Sequence, residues 1–319
     1  MADLPVRIIM DTDMDTDCDD AAAFAVLHAL ADRDEAHILA TMVSSSYPWS
    51  VPCVSAINRY YGRPDLPIGV VKGPSAPIDR GSRYARQVAE EFPHGFADRE
   101  APDAVEVYRQ ILAEQPDQSV VIVTIGYLTN LSNLIRSGPD RYCPRPGTEL
   151  VTKKVGHYVC MGSRYPADHD PRVWGNFKPD PPAVVHVAAE WPTPITFTGG
   201  GEFANALATG ARLSTETPEG SPVRRIYELF FKGTAQNRHS ADQIATMVAV
   251  RGTGHPWKLT TEGHNHIFPN GTHEWRDVPD DPRHRYISAL APGVDADDVA
   301  REIENLMVRP PDAGGNRNN

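Results

Sequence analysis

Short apolar runs alternate along the chain with longer stretches in which apolar residues recur at helical spacing. Residues 6–11 (VRIIMD) predict a buried strand by length and flanks, and residues 19–31 (DDAAAFAVLHALA) predict a helix. Two acids open that helix, where the helix dipole favours negative charge. A strand over 37–43, a helix over 51–61 and a strand over 66–71 follow. The pattern continues with a helix over 101–115 opened by Pro102, a strand over 119–125, a helix over 129–135, and strands over 157–161 and 194–199. Strands alternating with helices predict an α/β fold, a central mostly parallel sheet flanked by helices. Ligands of such sheets sit outside the carboxyl ends of the strands. The positions to read for chemistry are therefore 11–20, 44–46, 125–126 and 162–164.

The first of these is DTDMDTDCDD. Asp11, Asp13, Asp15, Asp17, Asp19 and Asp20 fall within ten residues, between a buried strand and an apolar helix. Carboxylates packed this densely repel one another unless a cation sits among them. Hard divalent cations want several oxygens, so Ca²⁺ or Mg²⁺ is the natural occupant. An EF-hand loop counted from Asp11 would need Gly at its sixth place and Glu at its twelfth, where Thr16 and Ala22 stand, so that reading fails. A phosphatase of the DxD type also begins with an apolar strand and two aspartates. It prefers Thr or Val at the place of Asp15, and it stays as an alternative.

Composition narrows the partner more than the fold. The 319 residues carry 31 Lys and Arg against 42 Asp and Glu, a formal charge of −11, with 40% hydrophobic residues. Mean hydropathy is −0.40. No basic run offers a nucleic-acid face, and no apolar window is long enough to span a membrane. A small molecule is the expected partner. Cys18, Cys53, Cys143 and Cys160 lie far apart without zinc spacing and read as reduced thiols of a cytoplasmic protein; no basic apolar leader opens the chain. The expected organisation is one domain over residues 1–308 and a loose Pro/Gly/Asn-rich tail over 309–319.

Four motifs in order resemble the nucleoside hydrolase superfamily. IIMDTDMDTDCDDAAA is similar to the family variant with a longer aspartate turn. VTIGYLTNLSNLI (123–135), the series MGSRYP, GNFKPDPPAV and WPTPITFTGGGE, and RHSADQIATMVAVRG (238–252) are similar to the later motifs. The resemblance implies Ca²⁺-dependent hydrolysis of the N-glycosidic bond of a ribonucleoside to base and ribose, by a homodimer or homotetramer. It implies Asp13 as metal ligand and general base, Asp20 and Asp242 as further ligands, and the Ile125 carbonyl as another. Asp19 and Asn176 would hold sugar hydroxyls, and Asp11 would brace the loop. A non-catalytic or repurposed sugar- or nucleoside-binding protein that keeps the cation is the alternative from another class.

Several positions depart from the family pattern. Asp15 replaces the usual Gly of the turn, where a left-handed backbone costs Gly least. It also permits a second register with Asp13 and Asp15 as the DxD pair; Asp13 is preferred as base. Trp174 and Gly175 stand where an acid usually precedes the sugar-binding Asn, and Ser44–Ser45–Ser46 stand where Asn is usual. Ala241 replaces a His that assists the leaving base, and His239 would face differently on a helix. Ser44, Arg164 and Trp174 are the remaining substrate-site candidates, with Tyr165 and His169 as further leaving-group candidates. Trp49 and Trp174 could stack on a base, Tyr84 and Tyr127 fit a pocket or the core equally, and Trp191 fits packing. His94, His264 and His266 lack a convincing zinc spacing. Gly199–Gly200–Gly201 reads as a phosphate cradle or as close backbone packing.

Overall fold

The computed structural model describes residues 4–73, 76–77, 83–165 and 172–312. Eight strands form one sheet among the described residues: β1 (Val6–Thr12), β2 (Ala36–Val43), β3 (Ile68–Val70), β4 (Val120–Thr124), β5 (Val155–Arg164), β6 (Ile195–Gly200), β7 (Trp257–Thr260) and β10 (His284–Leu290). Their order is β3-β2-β1-β4-β5-β6-β10-β7, parallel except for the β10–β7 edge pair. Strands β8 (His264–Ile267) and β9 (His273–Arg276) form a separate antiparallel pair.

Both faces of the sheet are covered, which is why its central strands read as continuous apolar runs rather than alternating ones. Successive side chains of β1 point to opposite faces. Ile8 and Met10 join the core that contains Phe24, Leu27, Ile244 and Val248, from helices Asp19–Asp32 and Ala241–Arg251. Ile9 joins the opposite core with Tyr108, Leu112, Leu131 and Leu134, from helices Ala104–Glu114 and Thr129–Arg136. Trp191 belongs to that second core: it is fully buried, lies 4.9 Å from the Tyr158 ring and donates from Nε1 to Thr193 Oγ1 at 2.9 Å.

The predicted elements through residue 199 have counterparts with shifted ends. The helix expected over 101–115 starts at Ala104, because Asp103 caps it by accepting from the Val105 amide at 2.8 Å. β5 runs farther than expected, from Val155 to Arg164. Strands β7 to β10 were not anticipated. The turn-rich pair β8 and β9 carries HNHI and HEWR, with no apolar run or period for a sequence reading to find. The four cysteines are free and buried. No helix among the described residues is long and apolar enough to cross a membrane. Of the expected tail, residues 313–319 lie outside the described residues.

Candidate active site

The sheet order places the site. From β1 the chain moves to β2 and β3 on one side, then crosses to β4 on the other side of β1. The carboxyl end of β1 is thus the point where the strand order reverses, where open parallel sheets leave a crevice. The aspartate turn starts there.

The turn sorts its six carboxylates into two sets. Three are satisfied by protein donors. Asp11 accepts from Tyr108 Oη at 3.0 Å and from Asn130 Nδ2 at 3.0 Å. Asp15, at φ +111°, accepts from the amides of Arg83 (3.1 Å), Tyr84 (3.0 Å) and Ala85 (2.7 Å), where helix Ala85–Glu91 begins. The left-handed backbone expected at this position is present, and the Asp15 side chain ties the turn to a distant helix. The Tyr84 hydroxyl accepts from the Asp15 amide at 2.8 Å and donates to the Asp17 carbonyl at 2.6 Å, so buried Tyr84 braces the same turn. Asp17 is paired with Arg238.

Asp13, Asp19 and Asp20 form the other set, with Asp242 from the first turn of helix Ala241–Arg251; all four are buried. Asp19, Asp20 and Asp242 each offer a carboxylate oxygen, and these atoms lie within 4.8 Å of one another. Thr12 Oγ1 donates to Asp20 Oδ1 and so fixes it from the strand side. Asp19 Oδ2 is buried without a hydrogen-bond partner; it approaches His239 Nδ1 to 3.2 Å but the pair does not close a hydrogen bond. A buried, all-oxygen donor set with an unsatisfied carboxylate oxygen fits a hard divalent cation.

The electrostatics reflect that crowding. Burial pushes the Asp13 carboxyl up to about 7, assisted by Asp19 and opposed by hydrogen bonds from Thr16 and Tyr127. Burial also raises Asp11 to about 7, against hydrogen bonds from Asn130 and Tyr108. Asp20 and Asp242 are raised well above the usual carboxylate range, by burial first and then by the neighbouring aspartates. Asp17 goes the other way: burial opposes its charge, but His239 and Arg238 hold it well below that range. Burial opposes the His239 charge too, yet Asp19 and Asp17 push it up to about 10.

A pH dependence follows for protein stripped of cations by EDTA. Asp11 and Asp13 rise from 3.8 unfolded to about 7 folded. Each contributes stability that is complete below the unfolded value and is lost as pH climbs through the folded one. The melting temperature in EDTA should therefore fall between about pH 4 and about pH 8. His239 adds to the fall above its usual 6.5, in the same direction. Calorimetric scans across that range test this; a melting temperature that is flat or rising in EDTA would contradict the buried-carboxylate picture.

The other sequence candidates are distributed around this centre. The Ile125 amide donates to the Asp11 carbonyl at 2.7 Å, extending the β1–β4 ladder into the site. Ser44 is fully buried, donates to the Thr12 carbonyl at 3.1 Å and accepts from the Tyr127 amide at 2.9 Å. Both roles tie strand ends together, so the Ser44 hydroxyl is engaged with backbone. Gly126 makes that approach possible: a Cβ there would lie 2.4 Å from the Asp13 amide nitrogen and 2.5 Å from Ser44 Oγ. Asn176 is buried and donates to the Met161 carbonyl at 3.0 Å, anchored to the end of β5. Arg164 is exposed, with its guanidinium 3.7 Å from the centre of the Trp174 ring, and Arg172 lies 4.5 Å from the same ring. Tyr165 is buried and donates no hydrogen bond to the aspartates; its hydroxyl accepts from Asn265 Nδ2 at 2.8 Å. His169 lies outside the described residues. The Gly199 Cβ position lies 2.2 Å from the Ser163 carbonyl oxygen, which accounts for that glycine by close packing of β6 on β5.

His239 needs a correction. It does not face away on a helix, because the helix starts at Ala241 with Ser240 as its N-cap residue. His239 stands in the preceding turn, with Nε2 3.4 Å from Asp17 Oδ2 and Nδ1 3.2 Å from Asp19 Oδ2. Ser followed by an acid before an apolar helix is a readable start signal, and it marks His239 as lying outside the helix. Arg238 and Thr16 had no such signal. Among the described residues, His94, His264 and His266 join no metal-holding cluster.

A family model described as inosine-uridine preferring nucleoside hydrolase matches residues 8–285. No curated protein matches the chain. Among solved structures, a purine-preferring ribonucleoside hydrolase from Gardnerella vaginalis is 15% identical, with a TM-score of 0.70 over 95% of this chain and 98% of that one. An inosine-guanosine nucleoside hydrolase is 16% identical, with a TM-score of 0.72 over 94% and 98%. The type III effector protein XopQ, complexed with adenosine diphosphate ribose, is 15% identical, with a TM-score of 0.65 over 96% and 93%. At these identities the structural likeness speaks for the shared α/β fold.

Proposed function

The chain belongs to the inosine-uridine preferring nucleoside hydrolase family and is a hydrolase acting on N-glycosyl bonds, and on that premise we propose that it cleaves a ribonucleoside to free base and ribose in a Ca²⁺-dependent reaction. The observation that carries this reading is the set of buried carboxylates Asp13, Asp19, Asp20 and Asp242 at the strand-order reversal. Asp13, Asp20, Asp242 and the Ile125 carbonyl would hold the cation, with Asp19 beside them. When bound, such an ion lowers the pKa of water and supplies a nucleophile near neutral pH.

The residues of the chain do the rest. Breaking the bond builds positive charge on the sugar, as in other glycoside hydrolyses. Fixed carboxylates at this crevice stabilise that charge without reorganising. Asp13 accepts the proton of the attacking water at its carboxylate, and Thr16 and Tyr127 hold that carboxyl by hydrogen bonds. Asp19 and Asn176 orient sugar hydroxyls. Arg164 and Trp174, stacked on one another, are the candidates for contact with the leaving base.

The test is a reducing-sugar assay on purine and pyrimidine ribonucleosides, with EDTA and with Ca²⁺ restored. Ribose release that EDTA abolishes and Ca²⁺ recovers is the expected result. Absence of release from every nucleoside, by protein that still binds Ca²⁺ in calorimetry, would overturn the hydrolytic reading and favour a binding protein that keeps the cation.

A further inference from the structure

Asp17 lies between the proposed ligands Asp13 and Asp20 in the sequence, yet it is bound to side chains. Arg238 Nε lies 3.0 Å from its Oδ1 and 3.1 Å from its Oδ2, and Nη2 contacts Oδ2 as well. A guanidinium contacting both oxygens of one carboxylate fixes its orientation, where a lysine would act as a point charge. The Arg238 backbone is itself pinned: its amide donates to the Thr209 carbonyl at 2.8 Å and its carbonyl accepts from the Thr209 amide at 2.9 Å. His239 then bridges the fixed Asp17 and buried Asp19, at 3.4 Å and 3.2 Å. Three residues later the same segment delivers Asp242 from its helix.

We propose that His239 is a positioning residue: seated between Asp17 and Asp19, it holds the Asp19 carboxylate beside Asp20 and Asp242, with Arg238 anchoring the arrangement through Asp17. This rests on the reading of Asp19, Asp20 and Asp242 as part of a cation site. The physical need is plain. Asp19 Oδ2 has no hydrogen bond of its own, and a carboxylate in the first turn of a helix can rotate among several rotamers. The imidazole limits that rotation from one side. Because the turn before the helix carries His239 and the helix itself carries Asp242, one rigid segment sets both positions.

A second cation bound by Asp17, Asp19 and His239 is the competing arrangement, since their ligand atoms also lie within 4.8 Å of one another. The arginine weighs against it. Arg238 contacts both oxygens of Asp17 and already places a positive charge on that carboxylate, which disfavours a second cation there.

Calcium calorimetry on the full chain separates these outcomes. Wild type should bind one Ca²⁺. His239→Ala should weaken that binding about 10- to 100-fold, the range for residues that orient metal ligands from outside. His239→Asn places an amide near the Nδ1 position and should recover most of the affinity. With a nucleoside substrate, His239→Ala should raise KM more than it lowers kcat, because Asp19 is the residue displaced. Unchanged Ca²⁺ affinity and KM in a folded His239→Ala protein would remove the positioning role while leaving the cation site standing. Two Ca²⁺ per wild-type chain, one of them lost in His239→Ala, would replace it with a second metal site. Failure of wild type to bind Ca²⁺ at all would instead remove the underlying cation reading and this inference with it.

Discussion

Asp13→Asn should cut kcat by at least about 100-fold, the lower range for loss of an acid–base group, while the protein still folds and binds substrate. The amide fills the same space but has no lone pair basic enough to take a proton from water. Its oxygen can still accept from Thr16 and Tyr127, the two side chains that hydrogen-bond the native carboxyl. The substitution also removes a carboxyl that is buried among Asp19 and Asp20. Folding stability in EDTA at neutral pH should therefore hold or rise, since burying an uncompensated charge is costly. Steady-state kinetics at saturating Ca²⁺ decide the matter, with a thermal melt as the control for folding. Wild-type turnover by the variant would discard Asp13 as the base.

Asp242→Ala should weaken Ca²⁺ binding by at least about 100-fold, because a direct ligand should matter at least as much as the outer partners that orient ligands. Asp242 is buried and comes from the far end of the chain, opposite the aspartate turn. Its carboxylate oxygen lies within 4.8 Å of those of Asp19 and Asp20, the geometry on which its proposed ligand role rests. Alanine is a good helix former, so the helix Ala241–Arg251 should persist. Stability should respond in opposite directions in the two conditions. In EDTA at neutral pH the variant should melt no lower than wild type, having lost a strongly perturbed carboxyl. With Ca²⁺ the gain in melting temperature should shrink, since a ligand stabilises only as far as it binds the folded state. Unchanged affinity by calorimetry would take Asp242 out of the ligand set.

Much of the fold was legible in the chain. Strands such as Val120–Thr124 are covered on both faces, so they appear as uninterrupted apolar runs that any reading of the sequence finds. The position of the aspartate turn was legible too, because its six acids stand between a buried strand and an apolar helix. The late strands were not legible. His264–Ile267 and His273–Arg276 pair with each other and are only partly buried, so neither carries an apolar signal.

What the sequence by itself determined was the α/β architecture and the strand end at which the aspartate cluster sits. Only the tertiary structure decided which aspartates are tied to donors from distant segments. Asp11, Asp15 and Asp17 look like Asp13, Asp19 and Asp20 in the sequence. They are set apart by Tyr108 and Asn130, by the amides of residues 83–85 and by Arg238, partners that lie from 68 to 221 positions away. Local periodicity reports what a residue's neighbours in the chain do with it. Whether a carboxylate is neutralised depends on donors brought in by distant segments, and that is settled only when the chain has folded.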